Sequence, residues 1–334
     1  MSQSQSTAEP PVAIRAAGGR CGTPAGQAVV DSAPAGWVPI AAAAAVALSA
    51  ALWGASFTFA KIVLRQLDAI QTVIWRFTLA ALPFAVIALW RRERLQLADL
   101  PQFLLAAFFG IPALTLLQYI GLSMTTAATA ALLMGTFPAV LAVAAATIRH
   151  ERLGVVGWGA VLASTLGAAL IVGVAPGAEG WMGPSLIVLS MLAAAGWVLT
   201  CKQLMVRYSA IGTTTYTMLL GALMLLPFDA LSGQSITVIM HVDASTWLGL
   251  LGLGILCTFA AFCLANWGLQ NMPAYRAGIL NNLQPLTGAL LGVAILHERL
   301  TALSWLGGAL ILLTTITVSL APFIERTGRR HISR

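Results

Sequence analysis

The chain has 334 residues, of which 59% are hydrophobic and 9% charged. Soluble domains carry about a quarter of their residues as charges, so this composition excludes a water-soluble fold and calls for a bilayer as solvent. The net charge of +7 needs no nucleic acid to account for it, because the basic residues collect between apolar runs, as they do in membrane proteins.

In chain order, residues 1–36 are rich in Pro, Gly, Ser and Ala, show no apolar periodicity and read as a disordered cytoplasmic tail. Ten apolar runs follow, at about 37–60, 69–90, 100–122, 125–148, 153–174, 183–201, 211–231, 245–269, 274–297 and 301–323. A bilayer core of ~30 Å needs about 20 apolar residues per helix, the length of these runs. None of them alternates in polarity every second residue, which argues against a membrane β-barrel. The expected fold is all-α, a polytopic membrane protein of ten transmembrane helices, closed by a basic cytoplasmic tail at 324–334.

Lys and Arg decide the orientation, since cytoplasmic loops hold the excess. One set of alternate connections carries Arg91, Arg92, Arg94, Arg149, Arg152, Lys202, Arg207 and Arg276, with more Arg at both termini, while the other set holds Lys61, Arg65 and Arg299. Both termini are therefore expected in the cytoplasm, with the protein in the cell inner membrane.

A shift of 147 residues superposes Gly121 on Gly268, Pro138 on Pro285, Trp158 on Trp305, and His150-Glu151-Arg152-Leu153 on His297-Glu298-Arg299-Leu300. The chain reads as a duplicated five-helix unit, 37–174 and 183–323. An odd number of helices makes the second copy enter the membrane from the other side, which gives inverted repeats and a binding site near the midplane. Glu151 and Glu298, at matching places on opposite faces, are expected to stabilise the dipole of the helix that follows each.

These features, with Leu52-Trp53-Gly54-Ala55-Ser56 followed by Lys61, Arg76-Phe77, and the Thr-Ala-Ala-Thr-Ala-Ala run ahead of Pro138, resemble the drug/metabolite transporter superfamily. Within it the chain is similar to the ten-helix EamA exporter family, from 37 to 323. The resemblance implies a basket of helices around a central cavity and export of amino acids or other metabolites by alternating access.

Arg76 is the clearest ionisable group inside a span, where charges are costly and mark either a substrate contact or a structural pair. In the ninth run Gly278, Asn281, Asn282, Pro285, Gly288, Ala289 and Gly292 fall on one helical face, with Gln284 to one side. Pro285 cannot donate to the carbonyl of Asn281, so a free acceptor is expected beside two amides. Tight helix packing is the competing reading of that stripe. Trp53, Phe57, Trp197 and Trp267 are candidate cavity walls, and Tyr119 and Asn266, at equivalent places in the repeat, are expected to narrow opposite mouths.

The substrate-binding set is thus Asn281, Asn282, Gln284, Trp53, Tyr119, Asn266 and Arg76, with no catalytic residue, no metal and no cofactor. Lys61 and Lys202 are the only lysines and neither sits in a phosphate-cradling loop, which excludes direct ATP coupling. Cys21, Cys201, Cys257 and Cys263 lack metal-ligand spacing. The expected partners are a small-molecule substrate and the lipid bilayer, without nucleic acid; a homodimer is compatible. The alternatives are a channel or non-transporting membrane sensor, and then an intramembrane enzyme, for which no histidine lies deep in a span.

Overall fold

The computed structural model describes residues 38–91, 93–149, 155–172, 180–314 and 316. Both expected tails, Cys21 and Glu151 lie outside the described residues. Ten helical units follow one another: α1 Val38–Val63, α2 Ala69–Arg91, α3 Leu97–Ser123, α4 in two segments Ala127–Met134 and Phe137–Arg149, and α5 Val155–Val172. Then come α6 Met182–Leu204, α7 Ala210–Leu225, α8 Ala244–Asn271, α9 in two segments Ala274–Leu280 and Leu283–Leu296, and α10 Ala302–Thr314. No strand occurs among the described residues. Among the described residues eight helices are long and apolar enough to cross a membrane; the apolar parts of α5 (Trp158–Ile171) and α10 are shorter.

Hydroxyl or carboxylate side chains start several of these helices. Thr126, Ser209 and Asp243 each stand in extended backbone and accept from a first-turn N–H, of Thr129, Gly212 and Thr246 respectively. Such caps satisfy donors that the helix itself cannot. The Thr246 backbone N–H, aided by the Ser245 hydroxyl, holds the Asp243 carboxyl down at about 2. A depressed carboxyl favours the fold above its ordinary range, so this cap is kept as pH falls through that range and is lost only near pH 2.

The interior is built on α1, which packs along α8 and α9, while α3 packs on α6 and α2 on α7. Small residues set the closest crossing. A Cβ at Gly54 of α1 would stand 2.4 Å from the Gln284 carbonyl oxygen and 2.9 Å from the Gly288 nitrogen of α9.

Two departures from straight α-helix recur in both halves. The third helix of each half, α3 and α8, contains a π-helical stretch, Phe109–Leu116 and Gly252–Ala260; such stretches are rare and cluster at functional places. The fourth helix of each half is broken shortly before its proline, at Gly135-Thr136 in α4 and Asn281-Asn282 in α9. At the second break the sequence expects the Asn281 carbonyl to lack a donor. It does not: the Gln284 N–H reaches back to it at 3.1 Å, a tightened turn that replaces the bond Pro285 cannot make.

Glu298 is also placed differently from expectation. His297 adopts a left-handed backbone (φ 56°) and ends α9, and the Glu298 N–H closes the turn on the Gly292 carbonyl. The Glu298 carboxylate then turns away from α10 and accepts from the Ala127 and Ala128 N–H groups of α4, at 2.7 and 2.8 Å. It caps a helix of the other half rather than the one that follows it.

Candidate functional site

Arg76 is buried in the first third of α2, and its guanidinium is divided between two neighbours. Nε donates to the Thr258 hydroxyl at 2.9 Å and Nη1 to the Tyr119 hydroxyl at 2.6 Å. It also lies over the rings of Phe77 and Tyr119. Thr258 belongs to the π-helical stretch of α8, its own hydroxyl donating to the Leu253 carbonyl five residues back, and Tyr119 follows the π-helical stretch of α3. Arg76 thereby joins α2, α3 and α8, and among the described residues no carboxylate pairs with it. A buried cation held only by hydroxyls and ring faces is unusual, because desolvation is costly without an opposite charge.

Trp53 meets Phe262 edge-on at 5.2 Å between ring centroids, and Trp197 meets the same ring at 5.7 Å. The trio ties α1, α8 and α6 together as an apolar wall. Gly110 of α3 leaves room for the Trp197 indole, since a Cβ there would stand 2.6 Å from it. The indole N–H of Trp197 is buried and finds no hydrogen-bond partner among the described residues, and buried donors are seldom left so.

The α9 break holds the three amides. Asn282 donates to the Ile279 carbonyl at 3.0 Å, within its own helix, whereas Asn281 is exposed. Pro285, Gly288, Ala289 and Gly292 are buried, so the stripe expected on one face is divided at the break: small residues pack, and Asn281 does not. Gln284 stands beside α1 through its carbonyl at Gly54. Asn266 donates to the Thr214 hydroxyl of α7 at 3.1 Å.

The structure therefore brings Arg76 to Tyr119, Trp53 and Trp197 to the shared ring of Phe262, and Gln284 to the turn of α1 that carries Trp53, as three separate contacts. Sequence reasoning missed Phe262, which is one more aromatic in an apolar run. It also missed Gln118, whose amide lies 3.1 Å from the Met134 sulfur at the α4 break; an uncharged polar side chain beside Tyr119 in an apolar run was the available signal. A cavity of about 490 Å³ between α4, α5 and α6, lined by Thr136, Val140, Ser164 and Gly196 among others, contains none of the seven candidate residues. Among the described residues no cluster of His, Cys, Asp and Glu could hold a metal.

A helical bundle with this composition and these spans defines a multi-pass membrane protein. The EamA-like transporter family matches residues 40–173 and again 181–320, so the chain belongs to that family. A transporter of Archaeoglobus fulgidus is 31% identical over 274 residues, 80% of this chain and 93% of that protein. The inner membrane transporter YicL of Salmonella typhimurium is 26% identical over 82% of this chain and 94% of its own length. A solved crystal structure shares the fold with a TM-score of 0.60 at 17% identity, covering 84% of this chain and 97% of the other.

Proposed function

We propose that this membrane transporter is a secondary exporter of a small metabolite, an amino acid or related compound, working without enzymatic chemistry by alternating access between two inverted five-helix repeats, 37–174 and 183–323. All ten apolar helices span the inner membrane in this reading, and both termini are cytoplasmic.

The observation that carries it is an asymmetry between equivalent parts. The first segment of α4 packs on the second segment of α9, and Glu298 fastens that end. The reciprocal pair, the second segment of α4 and the first of α9, makes no comparable contact among the described residues. Inverted repeats that are closed at one end and apart at the equivalent place of the other are what a cytoplasm-open transporter requires.

Loop contacts support the inverted arrangement independently. The α2–α3 loop and the first turn of α3 hold the α6–α7 loop: Glu93 accepts from the Ser209 N–H and hydroxyl, and Asp99 accepts from Arg207 at 2.6 Å and Tyr208 at 2.9 Å. The α7–α8 loop holds the α1–α2 loop and the first turn of α2 in the same reciprocal sense. Gln71 donates to Asp229 at 2.5 Å, and the Gln234 side chain accepts from the Asp68 N–H at 2.8 Å. Each half thus uses its second connection to grip the first connection of the other.

Uptake of labelled amino acids into proteoliposomes, with and without a proton gradient, tests the function; gradient-independent flux through an open pore would replace the exporter with a channel. For topology, reporters fused after Arg94, Arg207 and Arg276 are expected to report cytoplasm, and one after Ser235 the periplasm. A cytoplasmic signal at Ser235 would overturn the inverted arrangement.

The two amides at the α9 break are expected to separate. Asn281→Ala, at an exposed side chain, weakens apparent substrate affinity by roughly three- to tenfold with unchanged melting temperature, the effect of about one hydrogen bond. Asn282→Ala removes a bond inside the break and lowers the melting temperature instead. Met134→Ala, at the matching break of α4, alters affinity less than Asn281→Ala. Equal affinity in wild type and Asn281→Ala would remove Asn281 from the site.

A further inference from the structure

The cavity between α4, α5 and α6 holds a polar side chain that the protein leaves unused. Its walls are mostly aliphatic, with Val140, Val161, Val188 and Leu192 among them, and among the described residues no charged side chain lines it. Four hydroxyls do. Those of Thr136, Thr147 and Thr165 each donate to a carbonyl of their own helix, the usual way for a hydroxyl to be satisfied there. Ser164 differs: it is 3% exposed, and its hydroxyl finds no hydrogen-bond partner among the described residues. A buried hydroxyl in apolar surroundings is costly unless something meets it.

The equivalent place in the other half is filled. The shift of 147 residues that pairs Trp158 with Trp305 also pairs Ser164 with Ile311. Ile311 is fully buried and packs so closely that a Cβ at Gly135 or Gly167 would stand 2.5 or 2.7 Å from it. Beside Ser164 there is instead a space of about 490 Å³, the size of a small-molecule site. Leu192, Thr147 and Thr165 are exposed, so this space opens on the side of the bundle, toward the bilayer. Ser164 sits near the middle of α5, and Val188 and Leu192 near the middle of α6, a depth at which lipid tails offer no hydrogen-bonding group.

We propose that this cavity is a lateral binding site, entered from the bilayer, for an uncharged and mostly apolar solute carrying one hydroxyl or carbonyl, which Ser164 meets. A phospholipid tail would fill the walls and leave Ser164 unmet. An ionised solute, a zwitterionic amino acid included, would find no opposite charge. The site is therefore additional to the exporter reading and does not rest on it.

The test uses the full-length protein in phospholipid nanodiscs and a benzyl alcohol bearing a photoreactive diazirine, kept well below saturation in competition experiments, with labelled peptides mapped by mass spectrometry. Labelling of the stretches 136–147 and 188–196 is expected to saturate with probe concentration. Unlabelled benzyl alcohol and toluene, which lacks the hydroxyl, then compete. Ser164→Ala is expected to raise the benzyl alcohol concentration for half competition by roughly three- to tenfold, the loss of one hydrogen bond, and to leave that of toluene unchanged. Comparing each competitor with itself in two proteins removes the difference in how the two enter lipid. Ser164→Ile, which copies the other half, is expected to abolish the labelling; should it not fold, Ser164→Ala, which removes a single oxygen, decides alone. Labelling that never saturates, or that persists in folded Ser164→Ile, overturns the site. So does competition by benzyl alcohol that is indifferent to Ser164→Ala, which would mean a cleft for lipid tails. No flux is measured, so each outcome is separate from the proteoliposome result.

Discussion

Gly54→Val is expected to remove most folded protein from the membrane, while Gly159→Val is expected to be harmless. The two glycines lie in apolar helices and differ in what a side chain would meet. At Gly54 even a Cβ would fall 2.4 Å from the Gln284 carbonyl and 2.9 Å from the Gly288 nitrogen, whereas at Gly159 nothing among the described residues stands within 4 Å. Overpacking usually costs about 1–3 kcal/mol, because side chains shift to relieve it. Here the atoms met are backbone, so α1 and α9 must move apart, and the cost should reach the top of that range or beyond. The same separation would disturb the aromatic wall, since Trp53 adjoins Gly54. Gly159→Val exchanges a poor helix former for a better one and costs nothing in packing. Membrane abundance and detergent melting temperature of both variants decide the matter; normal abundance of Gly54→Val would mean that the α1–α9 crossing is looser than described.

Arg76→Ala is expected to destabilise the protein rather than alter its selectivity. The substitution removes two hydrogen bonds from a charged donor, each worth about 1.5–3 kcal/mol, and leaves the Tyr119 and Thr258 hydroxyls without their partner. Relief from holding an uncompensated charge in the interior offsets part of that loss, so a net cost of about 2–4 kcal/mol is expected. Tyr119→Phe should cost less, since Thr258 still holds the guanidinium. Arg76→Lys keeps the charge but lacks the fork that reaches two helices at once, and should fall between. The order Arg76→Ala, Arg76→Lys, Tyr119→Phe in falling severity of melting-temperature loss supports a joint between α2, α3 and α8. An unchanged melting temperature with a large rise in apparent substrate KM for Arg76→Lys would instead make Arg76 a substrate contact.

Much of this was legible in the sequence, for reasons that lie in the solvent. In a bilayer every backbone group must be satisfied within its own helix, so long apolar runs can only be helices, and their limits follow from composition. The shift of 147 residues that pairs Pro138 with Pro285 and the charges placed between runs are likewise written along the chain. So is the family, through the residues around Trp53, Arg76 and the two prolines. Partners across the fold were not legible. Glu298 was expected to serve the helix after it, yet its carboxylate reaches Ala127 and Ala128 of the other half. Nothing in periodicity says which distant helix end will lack a donor's partner. Asn281 and Asn282 looked alike as neighbours before Pro285, but the break in α9 turns the Asn282 amide back onto the Ile279 carbonyl and leaves Asn281 exposed. Sequence by itself determined that this protein is built of apolar helices, that its family unit comes in two copies, and which polar groups lie among them. Only the tertiary structure decided which of those groups serve one another, because hydrogen bonds in a low-dielectric interior are set by helix position and rotation, and these depend on packing between residues far apart in the chain.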